Sequence, residues 1–298
     1  MMEENKYKII FIGAARFAVP TLGKLIDRGY QTPLIITQPD RSASREKKIV
    51  FSPVKQFALK QGLKISQPEK IAVAADEIKK INPDLIIVAS YGQLIPQKII
   101  ELPRFKAVNI HPSLLPKYRG PSPIQTAILN GDKKTGVTLM LMDEKLDHGP
   151  IIGQKEILIG QDDDYPALEK KLARLSADFA VKTLPAYLDG KIKPKPQDES
   201  GAAYTEILTR QDGKIDWSES AEKIRRKIRA FRPWPGAWTE LNGRRVKIIK
   251  AEAVKNRQPG AVKTGGGFLV LKEVQPAGKK IMSGEEFLRG YPAAALDR

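Results

Sequence analysis

Asn109 and His111 are the residues whose types and spacing best suit them to chemistry. They stand in the run Asn109-Ile110-His111-Pro112. Along a strand, side chains two apart share a face, and Pro112 cannot continue the ladder, so an amide donor and an imidazole converge where the strand ends. Such a pair suits a carbonyl turning into a tetrahedral oxyanion: the amide N–H hydrogen-bonds the developing charge, and a protonated imidazole does so more strongly. Asp147, within Met142-Asp143-Glu144-Lys145-Leu146-Asp147-His148-Gly149-Pro150, follows a long apolar strand and precedes a glycine. That places it in a loop at a sheet edge, from which it can reach a histidine. Asp143 and Glu144 read as solvated loop carboxylates, and His148, unable to share the direction of Asp147 in extended chain, as a partly solvated histidine. A histidine at a strand end is also a frequent structural feature, and spacing alone does not decide between the two readings.

The chain has no cysteine and two histidines. Disulfides, thiolate metal sites and a cysteine nucleophile are therefore excluded, and little is left for a structural zinc. The turn Gly13-Ala14-Ala15-Arg16-Phe17-Ala18 lacks the second and third glycines that let a backbone approach a pyrophosphate, so it reads as a plain strand-to-helix turn.

The elements that must position these residues alternate. Apolar strands are expected at Tyr7 to Ile12, Leu34 to Ile36, Leu85 to Val88, Ala107 to Ile110 and Val137 to Met142. Helices are expected at Phe17 to Arg28, Val54 to Lys60, Val73 to Ile81 and Tyr165 to Tyr187, the last closed by Gly190. Alternation of this kind means an α/β, Rossmann-like, mostly parallel sheet covered on both faces. Residues 191–206, with two prolines, high charge and no periodicity, read as a linker between a domain over 1–190 and a smaller one over 207–298. In the second, a helix over Ala221 to Ala230 and short strands at Arg245 to Ala251, Gly260 to Lys263 and Phe268 to Val274 suggest a β-barrel of the oligonucleotide-binding (OB-like) type.

Length and charge agree with that division. The 298 residues suffice for two domains, and 41% hydrophobic with 29% charged residues is an ordinary globular composition. No apolar stretch approaches the length of a membrane span and the first residues have no signal-peptide pattern, so a cytoplasmic chain with no membrane partner is expected. The net charge of +17 favours a polyanionic partner. Residues 201–298 hold twenty basic and eleven acidic side chains, against thirty-one and twenty-three in residues 1–200. The basic excess is therefore densest in the smaller domain.

Taken along its length, the chain resembles the methionyl-tRNA formyltransferase family. The resemblance rests on Phe11-Ile-Gly13, Phe17-Ala-Val-Pro20, Thr37-Gln-Pro-Asp-Arg41, Ser52-Pro-Val-Lys55, Tyr91-Gly-Gln-Leu-Ile-Pro96, Asn109 to Pro116 with Arg119-Gly120, Thr135-Gly-Val-Thr138 and Asp147-x-Gly149. In the second domain it rests on Gly213-Lys-Ile-Asp-Trp217, Arg229-Ala-Phe-Arg-Pro-Trp-Pro235 and Gln275-Pro-Ala-Gly-Lys-Lys280. The resemblance implies that Asn109, His111 and Asp147 are the catalytic triad of formyl transfer from 10-formyltetrahydrofolate to methionyl initiator tRNA, with no metal. Ser113, Leu114, Leu115 and Pro116 would contact the folate, and Tyr91, Gly92, Gln93 and Leu94 would lie beside its pterin. Arg41, Arg45, Lys47 and Lys48 would contribute to tRNA binding, and a monomer is expected. The motifs around Asn109 and Asp147 specify the chemistry and not the acceptor; glycinamide ribonucleotide or an amino sugar are the alternative acceptors, and a catalytically silent tRNA- or folate-binding protein is the alternative of a different class. His148 stands where the family has a small residue or threonine.

Overall fold

The computed structural model describes residues 5–42 and 49–291. By its contacts the chain forms two compact units. The first holds residues up to Pro121 with Thr135–Ile157 and Glu169–Thr205; the second holds Ser122–Lys134, Leu158–Leu168 and the chain from Glu206 onward.

Up to Leu188 the strands are β1 (Asn5–Gly13), β2 (Tyr30–Gln31), β3 (Ile35–Ile36), β4 (Arg41–Ser42), β5 (Ile49–Val50), β6 (Ile65–Ser66), β7 (Leu85–Ala89), β8 (Ala107–His111), β9 (Lys134–Leu141) and β10 (Ile151–Leu158). The helices are α1 (Val19–Asp27), α2 (Pro53–Lys60), α3 (Ala75–Ile81), α4 (Gln97–Ile100), α5 (Pro123–Asn130) and α6 (Tyr165–Leu188). The main sheet runs β10-β9-β8-β7-β1-β3-β6, with β2 beside β1. β1 pairs in parallel with β3 and β7, and β7 with β8, while β9 runs antiparallel to β8. Ile9 to Ile12 and Leu85 to Ile87 are fully buried, as strands covered on both faces must be.

Leaving β1, the chain builds β3 and β6 on one side and then crosses to β7 and β8 on the other. The carboxyl ends of β1, β7 and β8 therefore flank a topological switch point, the place where open α/β sheets leave a crevice for ligands. His111 ends β8 there, and Ser90 to Tyr91 follow β7 beside it.

In the second unit, α7 (Ala221–Ala230), capped by the Ser220 hydroxyl, precedes an antiparallel sheet of β11 (Ala237–Leu241), β12 (Arg244–Val254), β13 (Ala261–Lys263), β14 (Phe268–Pro276) and β15 (Met282–Ser283). It is followed by α8 (Gly284–Gly290). The order is β11-β12-β14-β13, with β15 also on β14. One face of α7 contributes Ile224 and Ile228 to a core shared with Val246, Ile248, Leu269, Val274 and Phe287.

Residues 191–206, expected as a linker, bond other segments of the first unit at Lys195, Ala203 and Thr205. Ile151 and Lys195 exchange backbone hydrogen bonds of 2.7 and 2.9 Å, and Arg119 bonds Ala203 and Thr205. Prolines and charge hid this from a periodicity reading, because a segment held by isolated bridges has no repeat to show.

Candidate active site

Asn109 and His111 lie two apart on β8, opposite Met140 and Thr138 of β9, and their side chains meet one carboxylate. Asn109 Nδ2 donates to Asp147 Oδ1 at 3.0 Å. His111 Nδ1 stands 3.5 Å from Asp147 Oδ2, with both side chains nearly buried. The other imidazole nitrogen, Nε2, is 2.8 Å from the Tyr118 carbonyl oxygen. A carbonyl only accepts, so Nε2 carries the hydrogen, and Nδ1 is the nitrogen that faces Asp147. The Gly120 N–H completes the set, donating to Asp147 Oδ2 at 2.8 Å.

The loop that delivers Asp147 is shaped by its backbone. Asp147 has φ 49° and Tyr118 φ 65°, left-handed values that cost a non-glycine residue stability and persist where surrounding contacts impose them. Two residues on, a Cβ at Gly149 would run into the carbonyl of Leu141. Glycine is thus required for the loop to lie close against the end of β9, and this is the physical content of the Asp-x-Gly spacing.

His148 points elsewhere. Its Nδ1 is 2.6 Å from Asp143 Oδ2 and its Nε2 3.5 Å from Glu199 Oε1. Asp143 is accordingly not the solvated loop carboxylate the sequence suggested: it is half-buried, pairs with His148 and also accepts the Lys145 N–H at 3.0 Å.

The segments expected to contact folate split into inward and outward residues. Ser113 and Leu115 are buried; the Ser113 hydroxyl donates to Lys117 O, and the Leu115 N–H donates to the Thr138 hydroxyl. Those two residues shape the loop, while Leu114 and Pro116, each following one of them, are partly exposed. Beyond β7, Gln93 is held by the Ile71 N–H and the Glu69 carbonyl, and Gly92 and Leu94 are exposed, Leu94 at 82%. Tyr91 is buried, its hydroxyl has no partner among the described residues, and burial pushes its pKa up to about 12. Its ring packs in an apolar cluster with Ile12, Val88 and Ile95. Arg41 lies in β4, paired with β5; Arg45, Lys47 and Lys48 fall outside the described residues.

Sequence reasoning missed the backbone groups of Tyr118 and Gly120, the Arg119 side chain and Gln197. Arg119-Gly120 stood in a motif without an assigned role, and nothing local marks a glutamine 50 residues beyond Asp147, the residue whose carbonyl it holds at 2.9 Å.

Comparison with known proteins decides the family. Residues 7–184 match the formyl transferase model and residues 207–292 that of the formyl transferase C-terminal domain. The methionyl-tRNA formyltransferase of Caldanaerobacter subterraneus subsp. tengcongensis is 42% identical over 299 residues, covering 95% of this chain and 97% of that one. The chain belongs to the methionyl-tRNA formyltransferase family. The Bacillus subtilis family member is 40% identical over 97% of this chain and 96% of its own. Among solved structures, the N-formyltransferase of Helicobacter canadensis in complex with folinic acid and dTDP-3-aminofucose superposes with TM-score 0.69 at 20% identity, over 91% of this chain and 99% of that one. HypX from Aquifex aeolicus in complex with tetrahydrofolic acid superposes with TM-score 0.65 at 19% identity, over 95% of this chain and 47% of that one. At such identities these two show the shared fold alone.

Proposed function

We propose that this protein transfers the formyl group of 10-formyltetrahydrofolate to the α-amine of methionyl initiator tRNA. The observation that carries the reading is near-full-length similarity, at 38–44% identity, to relatives named for that reaction. The formyl donor supplies an activated carbonyl carbon, and the methionyl amine attacks it, forming a C–N bond while negative charge collects on the carbonyl oxygen. Asn109 uses one Nδ2–H to hold Asp147 and has its second N–H for that oxygen. His111, fixed through Nε2, presents a protonated Nδ1 to the same charge. Asp147 orients both groups and accepts the proton leaving the amine, passing it through water to the departing folate nitrogen. Support for this assignment is the single carboxylate shared by Asn109, His111 and the Gly120 N–H. Tyr91 to Leu94 and Ser113 to Pro116 bind the folate.

The catalytic domain spans 1–190 and the segment 191–206 leads to a basic domain, 207–298, that binds tRNA with Arg41, Arg45, Lys47 and Lys48. The enzyme works as a monomer in the cytoplasm; among the described residues no helix is long and apolar enough to cross a membrane. The test offers the pure protein 10-formyltetrahydrofolate together with charged initiator tRNA, free methionine, glycinamide ribonucleotide and a nucleotide-linked amino sugar. The reading requires formyl label on the tRNA ester and at least ~100-fold less on every other acceptor, the discrimination a site built for one acceptor reaches. Preferential labelling of another acceptor defeats it.

A further inference from the structure

We propose that Arg119, with Gln197 and Glu199, acts as a set of positioning residues for the site, holding His111 and Asp147 in register through the backbone on either side of residue 119. The inference rests on the formyl-transfer reading above.

Arg119 is fully buried, the bulkiest side chain so enclosed among the described residues. All five of its guanidinium N–H groups find acceptors, which is the full donor capacity of an arginine. Nε and Nη2 donate to Gln197 Oε1 at 3.1 and 2.8 Å. Nη1 donates to Glu199 Oε2 and to the Tyr204 hydroxyl oxygen, both at 3.0 Å, and Nη2 donates to Glu199 Oε1 at 2.7 Å. Its main chain is clamped as well: the N–H donates to Ala203 O at 2.8 Å, and the carbonyl accepts from the Thr205 N–H at 2.7 Å and the Thr205 hydroxyl at 3.1 Å. The paired carboxylate holds the guanidinium above its usual pKa, and Arg119 in turn holds Glu199 below the ordinary carboxylate range.

The neighbours of Arg119 in sequence give this anchoring its meaning. The Tyr118 carbonyl fixes the tautomer of His111, and the Gly120 N–H holds Asp147 Oδ2. Gln197 closes the circuit from the other side, donating through Nε2 to the carbonyls of Asp147 and Gly149, both at 2.9 Å. Arg119 and Gln197 thus grip both loops that carry the reacting groups. An ion pair with one partner exposed, as Glu199 is here, is weak evidence for stability. What an apolar side chain cannot do is tie residues 118, 120 and 147 to one rigid point, and a misplacement of about 1 Å at a reacting centre can cost ~100-fold in rate.

Because Arg119 is fully enclosed, its replacement risks misfolding, so the test uses Gln197→Met and Glu199→Gln. The chain has two histidines, so ¹⁵N-histidine labelling gives two imidazole spin systems, separated by His148→Thr. Gln197→Met should lower kcat about 10-fold, with KM for tRNA and formyl donor within about twofold, a split expected when geometry rather than binding is lost. Its His111 imidazole resonances should move. Glu199→Gln, which keeps a neutral acceptor for Arg119, should fall between it and the wild type. Wild-type kcat in Gln197→Met with unmoved His111 resonances overturns the inference, as does a loss expressed entirely in KM. The resonance measurement needs no turnover, so a wild-type protein that failed to formylate tRNA would defeat the functional reading and leave this proposal separately testable.

Discussion

Asp147→Asn keeps the shape of the side chain and removes what the site uses. The carboxylate accepts from Asn109 Nδ2 on one oxygen and from the Gly120 N–H on the other, with His111 Nδ1 at 3.5 Å. An asparagine offers one acceptor oxygen and turns an NH2 group toward whichever donor remains. One hydrogen bond to a charged acceptor, about 1.5–3 kcal/mol, is lost, and two donors face each other at a cost of about 1–3 kcal/mol more. Solvent recovers little of this, because the side chain is nearly buried. Part of the loss falls on folding, and a drop in Tm of about 5–10 °C follows for a protein of this size. On the proposed mechanism the rest falls on the transition state: Asn109 loses the partner that aims its second N–H, and the His111 imidazole loses the carboxylate beside it. Formyl transfer in a single turnover, at saturating donor and charged initiator tRNA, should slow by about 10²–10³-fold, the scale set by removal of an oxyanion-stabilising group. A rate within fivefold of wild type, with an unchanged Tm, would refute the reasoning.

Gly149→Ala places a Cβ against the Leu141 carbonyl; the loop must shift, and a loss of at least ~10-fold in kcat with about 2 kcal/mol of stability is expected by denaturant unfolding. Ser52→Ala removes the cap of α2, an oxygen that accepts the Lys55 N–H at 3.0 Å and bonds the Thr37 hydroxyl at 2.7 Å; about 1–2 kcal/mol of stability should go with little change in kcat. Tyr91, whose pKa burial raises from 10.0 to about 12, favours the protonated phenol in the folded state, so its contribution to stability is whole below pH 10 and is lost as pH rises to 12. Tyr91→Phe should therefore flatten the alkaline stability loss between those values at no cost at pH 7, and a raised KM for the formyl donor would show that the hydroxyl meets it.

The parallel core was legible because doubly covered strands are unbroken apolar runs; Ile9 to Ile12 and Leu85 to Val88 have no polar residue to mislead. What was missed lacks such a run. β10 carries Gln154, Lys155 and Glu156 on the edge of the sheet, and its exposed positions break the pattern. α5, eight residues opened by Pro123, is too short to establish a helical repeat. β11 could have been found: Asn242-Gly243, at φ 51° and 71°, is the two-residue turn that joins it to β12, and an Asn-Gly pair is a strong hairpin signal. In the site, period two along β8 was enough to pair Asn109 with His111. The arrival of Asp147 depended on a left-handed backbone and a glycine packed on Leu141, which only the Asp-x-Gly resemblance hinted at. Arg119 and Gln197, 78 residues apart, meet through the path of the chain alone.

On the proposed mechanism, Asn109 and His111 stabilise charge on a formyl carbonyl while the methionyl amine attacks. The most direct measurement is the single-turnover rate of formyl transfer to charged initiator tRNA by wild type, Asn109→Ala and His111→Ala, each with tRNA and donor binding measured on the same preparation. Losses of about 10²-fold or more are expected in each variant, with binding kept. Rates within a few-fold of wild type in both would contradict that mechanism.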